Sequence, residues 1–212
     1  MISLLTSGDI AAAESLLQQS QSDALSQHQI DLLPKVDTYT AYLKALLETQ
    51  QKALHSNDSI AEIISLAEKA HDLLVQMEDL SGVSDEYSSM RMSGTTDGHI
   101  RQPTLRPITL HYNSVITALA NVSINAHEMN YSTHFTMNAP YIAQRWLGRM
   151  ETLSTTSSSS GVMPTLESYH NVMKACSVVA RMNKQSKSPI LTQAIFDNLR
   201  QRTDISPTVK EY

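Results

Sequence analysis

Pro107-Ile-Thr-Leu-His-Tyr112-Asn-Ser-Val-Ile-Thr-Ala118 decides the fold, because the same pattern stands at two other places in the chain. Pro34-Lys-Val-Asp-Thr-Tyr39-Thr-Ala-Tyr-Leu-Lys-Ala45 precedes it, and Pro164-Thr-Leu-Glu-Ser-Tyr169-His-Asn-Val-Met-Lys-Ala175 follows it. A fourth start, Pro207 to Tyr212, repeats the spacing from Pro to Tyr. In each copy the Tyr, a Tyr or Val three residues on, an aliphatic residue or Met at four and an Ala at six form one helical stripe. The Ala allows a neighbouring helix to approach closely. The Pro falls ahead of the helix, where its missing N–H costs nothing. Each copy therefore predicts a helix A.

A second amphipathic stretch follows each helix A. Ile60–Leu80 carries Ala70, Leu73, Leu74 and Met77 on one face. Ala139–Leu153 carries Ala143, Trp146, Leu147 and Met150 at the same offsets, and Pro189–Arg202 carries Thr192, Ile195, Phe196 and Leu199. Ala13, Leu16, Leu17 and Ser20 fit the same template near the start, with Gly8 and Asp9 as the turn before that helix. These stretches predict a helix B for each A. The fold class expected is all-α: an α-solenoid of antiparallel helix-pair repeats.

The expected organisation assigns residues 1–33 to the end of a preceding repeat and 36–80 to repeat 1. Residues 81–106 are a polar loop, 107–153 repeat 2, 154–163 a Ser/Thr-rich linker, 164–203 repeat 3 and 204–212 the start of a further repeat. The chain thus reads as a piece of a longer array. Spacing between the opening prolines is irregular, at 73, 57 and 43 residues. The excess lies in polar insertions. Gln50–Ser59 and Ser123–Asn138 are expected to lengthen the turns within pairs, and the polar stretches are expected to be mobile.

The chain has 212 residues, of which 41% are hydrophobic, enough to build a core. One Cys excludes a disulfide framework and multi-Cys metal modules. No run approaches a membrane span, and Met1 to Leu5 does not read as a secretory or transit signal. The net charge of −5 hides an asymmetry: residues 1–100 carry −10 and residues 101–212 carry +5. A polyanion should prefer the second half. The unit from Pro164 to Thr203 is +4 and holds Lys174, Arg181, Lys184, Lys187, Arg200 and Arg202, which reads as a phosphate track or as an ordinary solvated face. Acidic residues Glu62, Glu68, Asp72, Glu78 and Asp79 lie in the first helix B, expected on the side away from a groove.

Catalytic patterns are thin. Cys176 takes the slot of Leu46 and Leu119, which predicts a buried apolar role. His111, His127 and His134 straddle a loop without a carboxylate at metal-ligand spacing. No phosphate loop, dinucleotide fingerprint or nucleophile elbow is present. No catalytic residue, metal or cofactor is expected, and the chain does not read as an enzyme.

The two in-phase signatures, Pro-x4-Tyr-x-x-[Val/Leu]-[Ile]-x-Ala followed by Ala-x-x-[Leu]-[Phe/Leu]-x-x-Met and then a Pro starting the next copy, resemble the pentatricopeptide repeat family. The resemblance covers three full repeats and partial ones at both ends. It implies a right-handed superhelix of helix pairs that binds single-stranded RNA along the face made by the A helices, one base per repeat. It also implies organellar RNA processing, hence a mitochondrion or plastid, although no targeting peptide is visible. In the family, base specificity comes from the residue after the helix-A Tyr and the residue after the next opening Pro. The resemblance places these pairs at Thr40 with Ile108, Asn113 with Thr165, and His170 with Thr208. It places the base-packing position at Asp37, Leu110 and Glu167, of which Leu110 alone is aliphatic. Phosphate contacts would come from Lys174, Arg181, Lys184 and Lys187. The competing expectation is a non-enzymatic scaffold that binds a protein partner through the same grooves. The degenerate specificity pairs and the acidic first half favour it.

Overall fold

The computed structural model describes residues 9–27, 33–56, 59–81, 105–129, 131–156, 161–182, 188–202 and 205. Among them are seven α-helices and no strand. They are α1 (Ile10–Gln27), α2 (Val36–Ser56), α3 (Ile60–Ser81), α4 (Thr109–Glu128), α5 (His134–Thr156), α6 (Leu166–Met182) and α7 (Ser188–Gln201). Helices α2, α4 and α6 are the A helices of the sequence pattern, and α1, α3, α5 and α7 are the B helices. None of the described helices is long and apolar enough to cross a membrane.

Local chemistry sets the starts. Asp9 accepts the Ala12 amide at 3.0 Å and caps α1. Ser59 caps α3 by accepting the Ala61 amide at 3.3 Å. Thr133 and Thr136 exchange hydrogen bonds at the start of α5: the Thr136 amide donates to Thr133 Oγ1 at 3.2 Å and the Thr133 amide to Thr136 Oγ1 at 2.8 Å. Thr165 and Ser168 form the same reciprocal cap on α6. At α4 the half-cap is a histidine: the Ile108 amide donates to His111 Nδ1 at 3.0 Å. The opening prolines, Pro34, Pro107 and Pro164, are all buried just ahead of these A helices.

The apolar stripes face one another. Tyr39, Tyr112 and Tyr169 are fully buried, as are Val115, Val172, Ala175 and Cys176. Burial of each such large side chain stabilises the fold by about 2–3 kcal/mol. Packing runs between chain neighbours. Helix α2 packs on α1, α3 and α4; α4 packs on α2, α3, α5 and α6; α6 packs on α4, α5 and α7. The central A helix, α4, thus touches its own B helix, the preceding B helix and the A helices on both sides. Consecutive B helices are joined by polar contacts: Lys69 of α3 to Glu14 of α1 at 2.5 Å, and Trp146 Nε1 of α5 to His71 Nδ1 of α3 at 3.0 Å.

The B stripe is buried unevenly. Leu73 and Trp146, in the first large slot, are buried, whereas Leu16 is 43% exposed. Leu17, Leu74 and Leu147, in the second, are buried, whereas Phe196 is 41% exposed. Among the described residues no helix precedes α1 and none follows α7.

Two expectations need correction. The insertions within pairs lengthen helices instead of turns. α2 continues through Gln50 to Ser56, and α4 continues through Ser123 to Glu128. Gln50 is buried, and its amide donates to the Ile63 carbonyl at 3.1 Å and the Ala118 carbonyl at 3.2 Å. Ala53, Ser123 and Ala126 are buried too, so the polar-looking stretch has an inner face. Helix α5 starts at His134 and not Ala139, because the Thr133 cap nucleates it ahead of Pro140, which lies inside the helix. Residues 82–104 of the expected polar loop and 157–160 of the expected Ser/Thr-rich linker lie outside the described residues.

Candidate nucleic-acid interface

Thr40, Asn113 and His170 each stand one residue past a buried tyrosine, so they lie beside the core stripe on α2, α4 and α6. Thr40 and Asn113 are half-buried and His170 is exposed. Asp37, Leu110 and Glu167, three residues before them, are exposed, and so are Lys44 and Lys174, four residues after them. The three A helices thus present equivalent positions in one row. Thr208, Lys184 and Lys187 and the side chain of Arg181 lie outside the described residues, so the pair His170 with Thr208 and most of the expected phosphate track are not placed.

The structure brings the second pair together: Asn113 Nδ2 donates to Thr165 Oγ1 at 3.1 Å. Ser168 Oγ donates to Asn113 Oδ1 at 2.5 Å. It does not join Thr40 to Ile108 directly. His111 lies between them: its Nδ1 accepts from the Ile108 amide, and its Nε2 sits 2.8 Å from Thr40 Oγ1. Because Nδ1 accepts, the ring is the neutral tautomer that donates from Nε2 to Thr40. Thr40 in turn donates to the Val36 carbonyl at 2.9 Å. Burial lowers the His111 pKa to about 4, in keeping with a neutral ring. His111 and Ser168 occupy the same slot, one before the tyrosine. Both junctions between A helices are therefore tied alike: the residue after one tyrosine bonds the capping residue before the next. A second rung follows at each. Asn171 donates to Thr117 Oγ1 at 2.9 Å, and Asn121 donates to Gln50 Oε1 at 3.1 Å.

A further repeating contact locks each tyrosine hydroxyl. Gln21 Nε2 donates to Tyr39 Oη at 2.8 Å. Tyr112 Oη donates to Glu78 Oε1 at 2.5 Å, and Tyr169 Oη to Glu151 Oε1 at 2.6 Å. Gln21, Glu78 and Glu151 all follow the Met slot of a B helix, held by Ser20, Met77 and Met150. Glu78 is buried and also accepts from Arg149 Nε at 3.1 Å. Glu78 is thus buried, whereas Glu62, Glu68, Asp72 and Asp79 of the same helix are exposed. Burial, then the adjoining carboxylates, push the Tyr112 and Tyr169 phenols well above their ordinary pKa. Arg202, half-buried, opposes that rise at Tyr169.

The sequence motifs do not include Ser168, Gln21 and Glu151, and they place His111 and Glu78 only in a histidine group and an acidic helix. Their signal was present as a polar residue at constant offset from the Tyr or Met of each copy. Charge along the row is mixed, with Asp37, Lys44 and Glu48 on α2 and Glu167 and Lys174 on α6. Lys44 pairs with Glu48 at 3.8 Å, an exposed contact of little energetic weight. Ile108, Leu110 and Met163 form an exposed apolar rim at the starts of α4 and α6, where the Met163 amide donates to Thr109 Oγ1 at 2.8 Å. Among the described residues no group of His, Cys, Asp or Glu could hold a metal ion. The Cys176 thiol is buried and its pKa is pushed up to about 11, as its apolar slot predicts. Compared with protein-family models, curated proteins and solved structures, the chain matches none of them.

Proposed function

We propose that this chain is a stretch of an α-solenoid of the pentatricopeptide kind and that its A-helix row binds single-stranded RNA. One observation carries the reading: Thr40, Asn113 and His170 recur at equivalent places on three successive A helices, and the first two are held by the same tie. Regularly spaced equivalent positions suit a polymer ligand with a regular repeat. Organellar RNA processing is the role the resemblance implies. Binding, and not catalysis, is the proposed activity.

Fluorescence anisotropy with a mixed single-stranded RNA pool tests this. Binding that weakens steeply with salt yet persists at physiological ionic strength is expected. A cooperatively folded chain that binds no RNA at low salt sinks the reading.

The exposed rim of Ile108, Leu110 and Met163 favours a second reading, a scaffold for a protein partner. A nuclease-resistant complex with one defined partner, lost on Leu110→Asp, would support that reading over RNA.

A further inference from the structure

Resting on the RNA reading above, we propose that Thr40 and Asn113 are positioning residues that hold neighbouring A helices in register and do not read bases. Reading a base with an amide needs its oxygen and one N–H turned together toward the base edge. In Asn113 both are turned toward α6. Oδ1 accepts from Ser168 Oγ at 2.5 Å, and Nδ2 donates to Thr165 Oγ1 at 3.1 Å. The two hydroxyls are themselves 3.1 Å apart, which closes a ring over the start of α6. Re-aiming the amide at a base would unmake both bonds and strip part of the α6 cap.

Thr40 is committed in the same way. Its hydroxyl proton goes to the Val36 carbonyl, and one lone pair receives the His111 Nε2 proton. His111 is fully buried and holds the Ile108 amide on its other side. The chain of bonds from Thr40 to the cap of α4 thus leaves no donor for a base. Two unrelated residue sets, Thr with His and Asn with Ser, make the same tie at equivalent positions. RNA bound across α2 and α4 would then be held with little discrimination between bases at these two repeats.

Four variants of the full chain, compared in melting and in selection from a randomised single-stranded RNA pool, test this. Asn113→Asp keeps the tie, because Thr165 can turn its hydroxyl to donate to the carboxylate. A base reader would change preference with that swap, since a donor is lost. The expected result is an unchanged selected-base profile for Asn113→Asp and Thr40→Ser. Thr40→Val and Asn113→Leu lose the tie, and should melt about 2–4 °C lower and bind all sequences equally less well. A shift of about tenfold in preferred base at one position with Asn113→Asp, at unchanged melting temperature, overturns the proposal. So does wild-type melting by both Thr40→Val and Asn113→Leu. If the wild-type chain retains no RNA, the RNA reading fails, and the melts alone decide the positioning role: a loss rescued by Thr40→Ser supports it, and no loss overturns it.

Discussion

The junction between α2 and α4 and the junction between α4 and α6 are tied at equivalent positions by different chemistry. At the first, a buried histidine ties α2 to α4, and a buried Glu78 joins Tyr112 to Arg149. At the second, Ser168 ties α4 to α6, and a half-buried Glu151 receives Tyr169. Backbone register is therefore maintained by position, and the side-chain type at each position is free to change. What changes with it is sensitivity to charge. The first junction holds ionisable groups away from water, so its stability should depend on pairing and pH. The second relies on neutral hydroxyls and a wetter carboxylate.

Glu78→Ala should have the largest effect of the substitutions, because it removes the buried carboxylate that pairs with Arg149 and receives Tyr112. A loss of about 3–5 kcal/mol in urea unfolding is expected. Glu151→Ala, at the equivalent place, should cost only about 1 kcal/mol, the scale of one hydrogen bond. Equal losses at the two sites would erase the contrast between the junctions.

Acid should separate them next. Burial lowers the His111 pKa from 6.5 to about 4, so folding favours the neutral ring. That contribution is complete above pH 6.5 and is lost as pH falls from 6.5 toward 4, amounting to at most ~3 kcal/mol. Protonation would place an N–H on Nδ1 against the Ile108 amide donor. Unfolding measured between pH 7 and 4.5 should show this loss in the wild type. His111→Ser, which copies the second junction, should remove it. A pH slope unchanged by His111→Ser would place the acid sensitivity elsewhere.

Smaller and more even effects are expected where the junctions are alike. Ala118 and Ala175 are both buried in the A stripe, and Leu at either should overpack its site by ~1–3 kcal/mol in a thermal melt. No loss at either would count against the shared register.

The helix pairs were legible in the sequence because an apolar stripe at helical spacing survives in every copy. Tyr39, Tyr112 and Tyr169 are buried as their positions foretell, and Cys176 lies in the apolar slot of Leu46 and Leu119. What hydropathy hides is the buried polar residue whose partner is far along the chain. Gln50 looked like the start of a turn and instead bonds the carbonyls of Ile63 and Ala118. Nothing near Glu78 in the sequence marks it as buried, because Arg149, which compensates it, lies 71 residues on. Thr40 and Asn113 were legible as a row but not as ties, since their partners His111 and Ser168 belong to the next helix.

Hydrogen exchange of the full chain with and without a single-stranded RNA pool tests the role of that row most directly. Slowed exchange and protection concentrated on α2, α4 and α6, with α3 and α5 unchanged, is the expected result. Protection confined to α3 and α5, or none at RNA concentrations that saturate anisotropy, would contradict it.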